Sequence, residues 1–270
     1  MKHCLYAPPF GTFGDVNLLV DLAGEAEQAG WDGFYLWDHV LFEQDVPFVD
    51  AWIALTAMAC ATERIRLGPL VTPLARRRPW VVAREAVTLD HVSNGRLVLG
   101  VGLGIDFWRE FSAFGEPATD DKARAALVDD GIEIIRGLWS GEEVSYYGDA
   151  HTIERVRFLP RPLQQPSIPI WSAAIFPMRH QGPVLRAARC DGVMPFGAAG
   201  QPTPDEVRGI RADIEKHRTT DAHLDICLHG PPDQAKAYEA AGVDWYALSF
   251  WMEEKLDWVH SVIKAGPPPS

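Results

Sequence analysis

The sequence predicts an α/β fold: one (β/α)8 barrel of the TIM type, with a short hairpin insertion between its fourth and fifth strands. Three observations predict it. Short apolar runs alternate with helical periodicity eight times along the chain. Successive strands lie roughly 25 to 60 residues apart, which leaves room for a crossover helix between parallel neighbours. The length of 270 residues is close to the roughly 250 of a single such barrel.

The first strand is His3 to Ala7, followed by a Pro/Gly loop from Pro8 to Gly14 and a helix from Asn17 to Ala29 that Gly30 ends. Gly33 to Trp37 is a short buried strand running into Asp38 and His39. A helix from about Asp50 to Thr62 carries Trp52, Leu55 and Ala59 at helical spacing, and Ile65 to Val71 is the third strand. Pro79 suits a first helical turn, where its missing N–H costs nothing, and that helix runs to about Val92 before Asn94-Gly95. Strand four is Arg96 to Val101, feeding a glycine-dense loop, and a long helix follows from about Lys122 to Trp139.

Glu143 to Leu159 breaks the alternation and reads as a β-hairpin about Gly148-Asp149. Strands five to eight are Ile168 to Ala173, Gly192 to Phe196, Leu224 to Leu228 and Val243 to Phe250. Residues 1–265 are therefore expected to form one barrel domain and 266–270 a flexible tail.

Composition excludes several classes. Hydrophobic residues make up 47% and charged residues 23% of the chain, with a mean hydropathy of -0.09, which is ordinary for a globular protein. A net charge of -12 repels nucleic acid and anionic lipid on average, so neither is an expected partner. No run of about 18 apolar residues is present and the N-terminus lacks a secretory apolar core, so no membrane association is expected. Cys4, Cys60, Cys190 and Cys227 form no metal-ligand spacing and no disulfide framework. A cytoplasmic location fits that usage.

Barrels of this type place chemistry on the loops after the strands. His39 there is a candidate proton donor or acceptor, with Asp38 to orient it; the alternative is a capping Asp beside a packed His. Gly100, Gly102 and Gly104 do not match a dinucleotide fingerprint. They admit either close approach of a flat ring or phosphate to the backbone, or a simple tight turn. Arg76-Arg77-Arg78 is either an anion clamp or a solvated charged face. Trp37, Trp108, Trp171 and Trp251 lie near strand ends, where they could wall an apolar pocket.

Longer stretches carry a resemblance: Leu67 to Trp80 (LGPLVTPLARRRPW), Ala83-Arg84-Glu85, Leu89-Asp90, Asn94 to Gly104 (NGRLVLGVGLG), Phe111 to Glu116, Leu138 to Gly141, Pro169-Ile170-Trp171 and Arg189 to Val193. In this order they closely resemble the luciferase-like family of flavin- or deazaflavin-dependent oxidoreductases, over most of the chain. The resemblance implies a barrel with the flat cofactor ring over the strand ends and His39 with Asp38 as the catalytic pair. It further implies a non-proline cis peptide after strand three at Leu70-Val71, and a ring-contacting loop at Gly102, Leu103 and Gly104.

After strand five, members commonly carry a glycine and then polar or basic residues for the cofactor phosphate. Here Ser172, Ala173 and Ala174 stand instead, with Arg179 or His180 as the nearby charge. The implied cofactor is coenzyme F420 or FMN. F420 is preferred on the Asp-His pair and on 19 arginines against 6 lysines, a composition of GC-rich genomes. The implied activity is hydride transfer or monooxygenation of a small organic substrate, with no metal and with a homodimer as the expected assembly. The alternative is a non-catalytic flavin- or deazaflavin-binding protein.

Overall fold

A computed structural model describes residues 1–42, 45–117, 120–177, 180–197, 200–230 and 234–268. Of the tail expected to be flexible, residues 269–270 lie outside that set, and so does Arg179. Among the described residues no helix is long and apolar enough to cross a membrane.

Asp15 accepts the Asn17 N–H and so opens α1 (Val16–Ala29), which stops at Gly30 with φ 90°, a left-handed conformation that glycine adopts without penalty. This helix joins β1 (Lys2–Ala7) to β2 (Gly33–Leu36), and α2 (Ala51–Ala61) leads to β3 (Arg66–Pro69). The predicted third strand is interrupted: the Leu70–Val71 peptide is cis, and a second short segment, β4 (Thr72–Pro73), follows it. Next come α3 (Pro79–Val92), β5 (Leu99–Gly102) and α4 (Asp121–Trp139). Between α4 and β8 (Ile170–Phe176), β6 (Glu143–Tyr147) and β7 (Thr152–Arg157) pair antiparallel. Asp130 on α4 ties them down by accepting from the Tyr146 hydroxyl and the Ala150 and His151 N–H groups. The chain continues through α5 (Gln181–Arg189), β9 (Gly192–Gly197), α6 (Pro204–Glu215), β10 (Asp225–Gly230), α7 (Ala235–Ala240), β11 (Trp245–Ser249) and α8 (Leu256–Ala265).

The strands run parallel in the order β3-β2-β1-β11-β10-β9-β8-β5-β4. The two edges meet, because β4 pairs with β5 and Leu67 of β3 bridges to Leu97 just before β5. β3 and β4 thus share one position in the ring, and the sheet closes as an eight-position barrel.

Alternation sorts the side chains. Cys4, Tyr6, Tyr35, Met194, Cys227 and Ala247 fill the lumen. Leu5, Phe34, Leu36, Leu99 and Ile170 face outward under the helices. Residues of the family-like stretches hold the opposite end of the barrel from the site. The buried Arg96 donates to the Ala59, Thr62, Ile65 and Ser93 carbonyls and to the Thr62 hydroxyl. Asp90 accepts from Leu163, Gln164 and the Gln164 amide.

Candidate active site

Parallel strands deliver all their C-terminal ends to one mouth. His39 follows β2 there. Its Nδ1 lies 2.8 Å from Glu110 Oε2, while Glu110 Oε1 accepts from the Val40 N–H and from Arg76, each at 2.8 Å. Burial by itself would raise the Glu110 carboxyl. The hydrogen bond and charge of His39, the Arg76 guanidinium and the Val40 N–H outweigh it and hold the group below the ordinary carboxylate range. An ionised Glu110 fixes the Nδ1 proton and leaves Nε2 as the nitrogen able to exchange a proton with a ligand.

Asp38 does not orient His39, as the sequence reading expected. Its Oδ2 accepts from the Thr72 hydroxyl at 2.8 Å and Trp52 Nε1 at 3.1 Å, and its Oδ1 faces Arg77 at 3.1 Å. Both oxygens are committed, and consecutive residues leaving a strand point apart, so Glu110 from the loop after β5 takes the orienting place. Arg76 and Arg77 are neither a free clamp nor a solvated face, whereas Arg78 is exposed. Arg76 and Arg77 turn inward onto Glu110, Asp38 and Glu85, and Arg78 lies over the Trp80 ring.

The glycines make their close approaches to the protein itself. A Cβ at Gly100 would lie 2.4 Å from the Pro69 carbonyl oxygen and 2.6 Å from Leu70 Cδ2; one at Gly102 would lie 2.7 Å from Val71 Cγ2. These positions must be glycine for the Leu70–Val71 segment to seat in the lumen. Gly104, at φ 71°, packs against Pro73 and Phe111. Leu103 is half-buried beside the outer core.

Ser172 and Ala173 lie in the strand, within the expected Ile168 to Ala173, and the strand continues past them: β8 carries Ala174 as well and runs on to Phe176 in register with β9. Ala174 packs under the helices with Ala187 and Val207, and alternation places Ser172 on that same outer side. Ala173 faces the mouth, within contact of a Cβ at Gly102. Trp171 lies deeper in the lumen than expected, 5.5 Å from the Trp245 ring. Trp37, Trp108 and Trp251 do wall the mouth: Trp37 stands 5.4 Å from Trp251 and 6.0 Å from His39, and Trp108 stands 5.2 Å from His39.

Two further mouth residues were not singled out from sequence. His229 near the end of β10 packs between Tyr6 and Phe196 with the Gln201 amide against its ring edge. The rule of inspecting the residue after each apolar run finds it, because the predicted strand ended at Leu228. Glu110 carried a weaker signal, as the single carboxylate in the Phe107-Trp108-Arg109-Glu110-Phe111 segment.

A closed parallel barrel thus gathers a buried acid–histidine–arginine cluster and an aromatic wall at one mouth. The luciferase-like monooxygenase family matches residues 7–260, and the chain belongs to that family. It is 31% identical over 261 residues to the F420-dependent glucose-6-phosphate dehydrogenase of Amycolatopsis mediterranei, covering 92% of this chain and 74% of that one. The enzyme of the same name from Beutenbergia cavernae is also 31% identical, over 86% of this chain and 69% of its own.

Among solved structures, an F420-dependent secondary alcohol dehydrogenase in complex with an F420-acetone adduct superposes with a TM-score of 0.80. It covers 97% of both chains at 16% identity, which speaks for the fold. The monooxygenase RslO1 from Streptomyces bottropensis gives 0.71 at 25% identity, over 90% of this chain and 75% of that one.

Proposed function

We propose that the chain is an oxidoreductase that binds coenzyme F420, or in second place FMN, over the strand ends and uses it for two-electron chemistry on a small organic substrate. The observation that carries the reading is the His39–Glu110–Arg76 cluster, a poised acid–base pair at the mouth of a family barrel. The relatives' own dependence on F420 supports that cofactor first. Those relatives are named as dehydrogenases, which sets aside the non-catalytic alternative.

The residues present fit a flat apolar ring. Val71 and Ala173, beside Gly102, form a wall of small side chains on one side of the mouth. Tyr6, Trp37 and Trp251 form an aromatic wall, and the buried Trp37 Nε1 has no partner among the described residues, so a hydrogen-bond donor is available. When bound, the cofactor accepts or delivers a hydride. The protein's part is position and proton handling: His39 holds or takes the substrate's proton at Nε2, Glu110 stabilises the charged imidazole, and Arg76 keeps Glu110 ionised.

The same reading assigns a small-molecule substrate, a cytoplasmic setting and a homodimer. Ile53 and Val81, exposed and apolar on α2 and α3, suit a helix-to-helix contact.

The test is a fluorescence titration of the protein with F420 and separately with FMN, paired with His39→Ala. Tight binding of one cofactor, and a folded variant whose turnover is about a hundredfold lower, are the expected results. Binding of neither cofactor by folded protein overturns the reading.

A further inference from the structure

We propose that Asp106 is a positioning residue: by closing the turn that runs from it to Ser112, it sets Trp108 and Glu110 against His39 and so decides which imidazole nitrogen of His39 carries the proton. This rests on the His39–Glu110 pair of the reading above, whichever cofactor binds.

Trp108 and Glu110 leave the loop after β5 two residues apart, yet both meet His39. The Trp108 ring stands 5.2 Å from the imidazole, and Glu110 Oε2 lies 2.8 Å from Nδ1. Arg109 between them has φ 61° and is exposed. A residue with a Cβ takes that left-handed conformation only at a cost, so bonds around it must hold it there.

Asp106 supplies those bonds. Its carbonyl oxygen accepts from the Arg109 N–H at 3.0 Å, and its Oδ1 accepts from the Phe111 and Ser112 N–H groups at 2.8 and 3.1 Å. One residue thus ties the backbone at the strained position and again just past Glu110. The same two N–H donors hold the Asp106 carboxyl below the ordinary carboxylate range, so it is an ionised acceptor at neutral pH. Phe111, fully buried against Gly104 with the Arg124 guanidinium 5.1 Å from its ring, fixes where the loop returns to the core. Asp106 fixes how the residues before it are presented.

With the turn closed, Glu110 holds the Nδ1 proton and Nε2 stays bare. With it open, Glu110 no longer meets Nδ1 squarely, and both neutral tautomers of His39 become populated.

The experiment is proton–nitrogen correlation NMR on the full chain with its histidine ring nitrogens labelled, at a pH where the imidazoles are neutral. His39→Gln locates the His39 signals. Glu110→Gln, whose amide can donate or accept, gives the spectrum of a ring without a fixed tautomer. Wild type should show Nδ1 protonated and Nε2 bare, and Asp106→Ala should move the His39 signals most of the way to their Glu110→Gln positions. Asp106→Asn keeps an oxygen for the two N–H groups and should stay with wild type. Asp106→Glu keeps the charge but misplaces the oxygen; it should move as Asp106→Ala does, and replaces it if that variant does not fold.

His39 signals unchanged in Asp106→Ala or in Asp106→Glu overturn the proposal. So does an Asp106→Asn spectrum that moves as far as that of Asp106→Ala, because charge and not the turn would then set the ring. A wild-type His39 protonated at Nε2, or mixed, instead removes the His39–Glu110 pair itself, and this inference with it.

Discussion

His39 and His229 stand at the same mouth in opposite electrostatic settings. His39 is bonded to an ionised carboxylate that a buried guanidinium supports. His229 is surrounded by Tyr6, Phe196 and an amide, and burial alone drives it toward the neutral form. One side of the mouth gathers charge around its histidine, and the other keeps its histidine among uncharged groups. The difference comes from what each neighbouring loop supplies: Glu110 and Arg76 on one side, Gln201 on the other. Position at a strand end therefore nominates a histidine, and its partners decide what it can do.

The largest expected effect breaks the charged side. Glu110→Gln removes the carboxylate from His39 and leaves Arg76 buried against an amide. Turnover should fall about a hundredfold and stability by about 3 kcal/mol, read from steady-state rates and urea unfolding. A folded variant with the wild-type rate would take Glu110 out of the mechanism.

The second prediction contrasts the two sides by pH. The imidazole of His229 is lowered from 6.5 to about 4, so below pH 6.5 the unfolded chain takes up a proton that the folded chain refuses. Stability from this group is complete above that pH and is lost as pH falls toward 4, by roughly 3 kcal/mol. His229→Leu should flatten that limb in urea unfolding series at stepped pH. The Glu110 contribution has the sign of a lowered carboxylate: present above 4.5 and lost only as pH falls through its depressed value. Acid loss should thus begin on the neutral side of the mouth. An unchanged limb in His229→Leu would contradict the assignment.

The smallest effect sharpens the neutral side. Gln201→Leu deletes one uncharged hydrogen bond and should cost about 1 kcal/mol, with cofactor affinity as in wild type. A loss of several kcal/mol, or a weakened cofactor, would show that Gln201 does more than hold the imidazole.

Local pattern made the barrel legible. Strand alternation, Pro79 at a helix start and Gly30 at a helix end are one-dimensional signals, and the observed elements lie within a few residues of those predicted. The errors fell where strands meet other strands. The sequence pattern ends strand five at Ala173, yet pairing with β9 carries it through Ala174 to Phe176. For Gly100 and Gly102 the sequence leaves a close approach or a tight turn open; their missing Cβ atoms make room for Leu70 and Val71, a fit visible only across strands.

The sequence by itself determined the order of β and α elements, the closed barrel, and the location of His39 and Asp38 at a strand end, because hydrophobic period and punctuation are local properties of the chain. Only the tertiary structure decided the partnerships. His39 meets a carboxylate 71 residues away, Asp38 meets Thr72 34 residues away, and His229 meets Gln201 28 residues away. Parallel strands joined by crossover helices bring distant loops to one rim. Which charge or amide a histidine finds there depends on distance in space, which no local pattern of residues encodes.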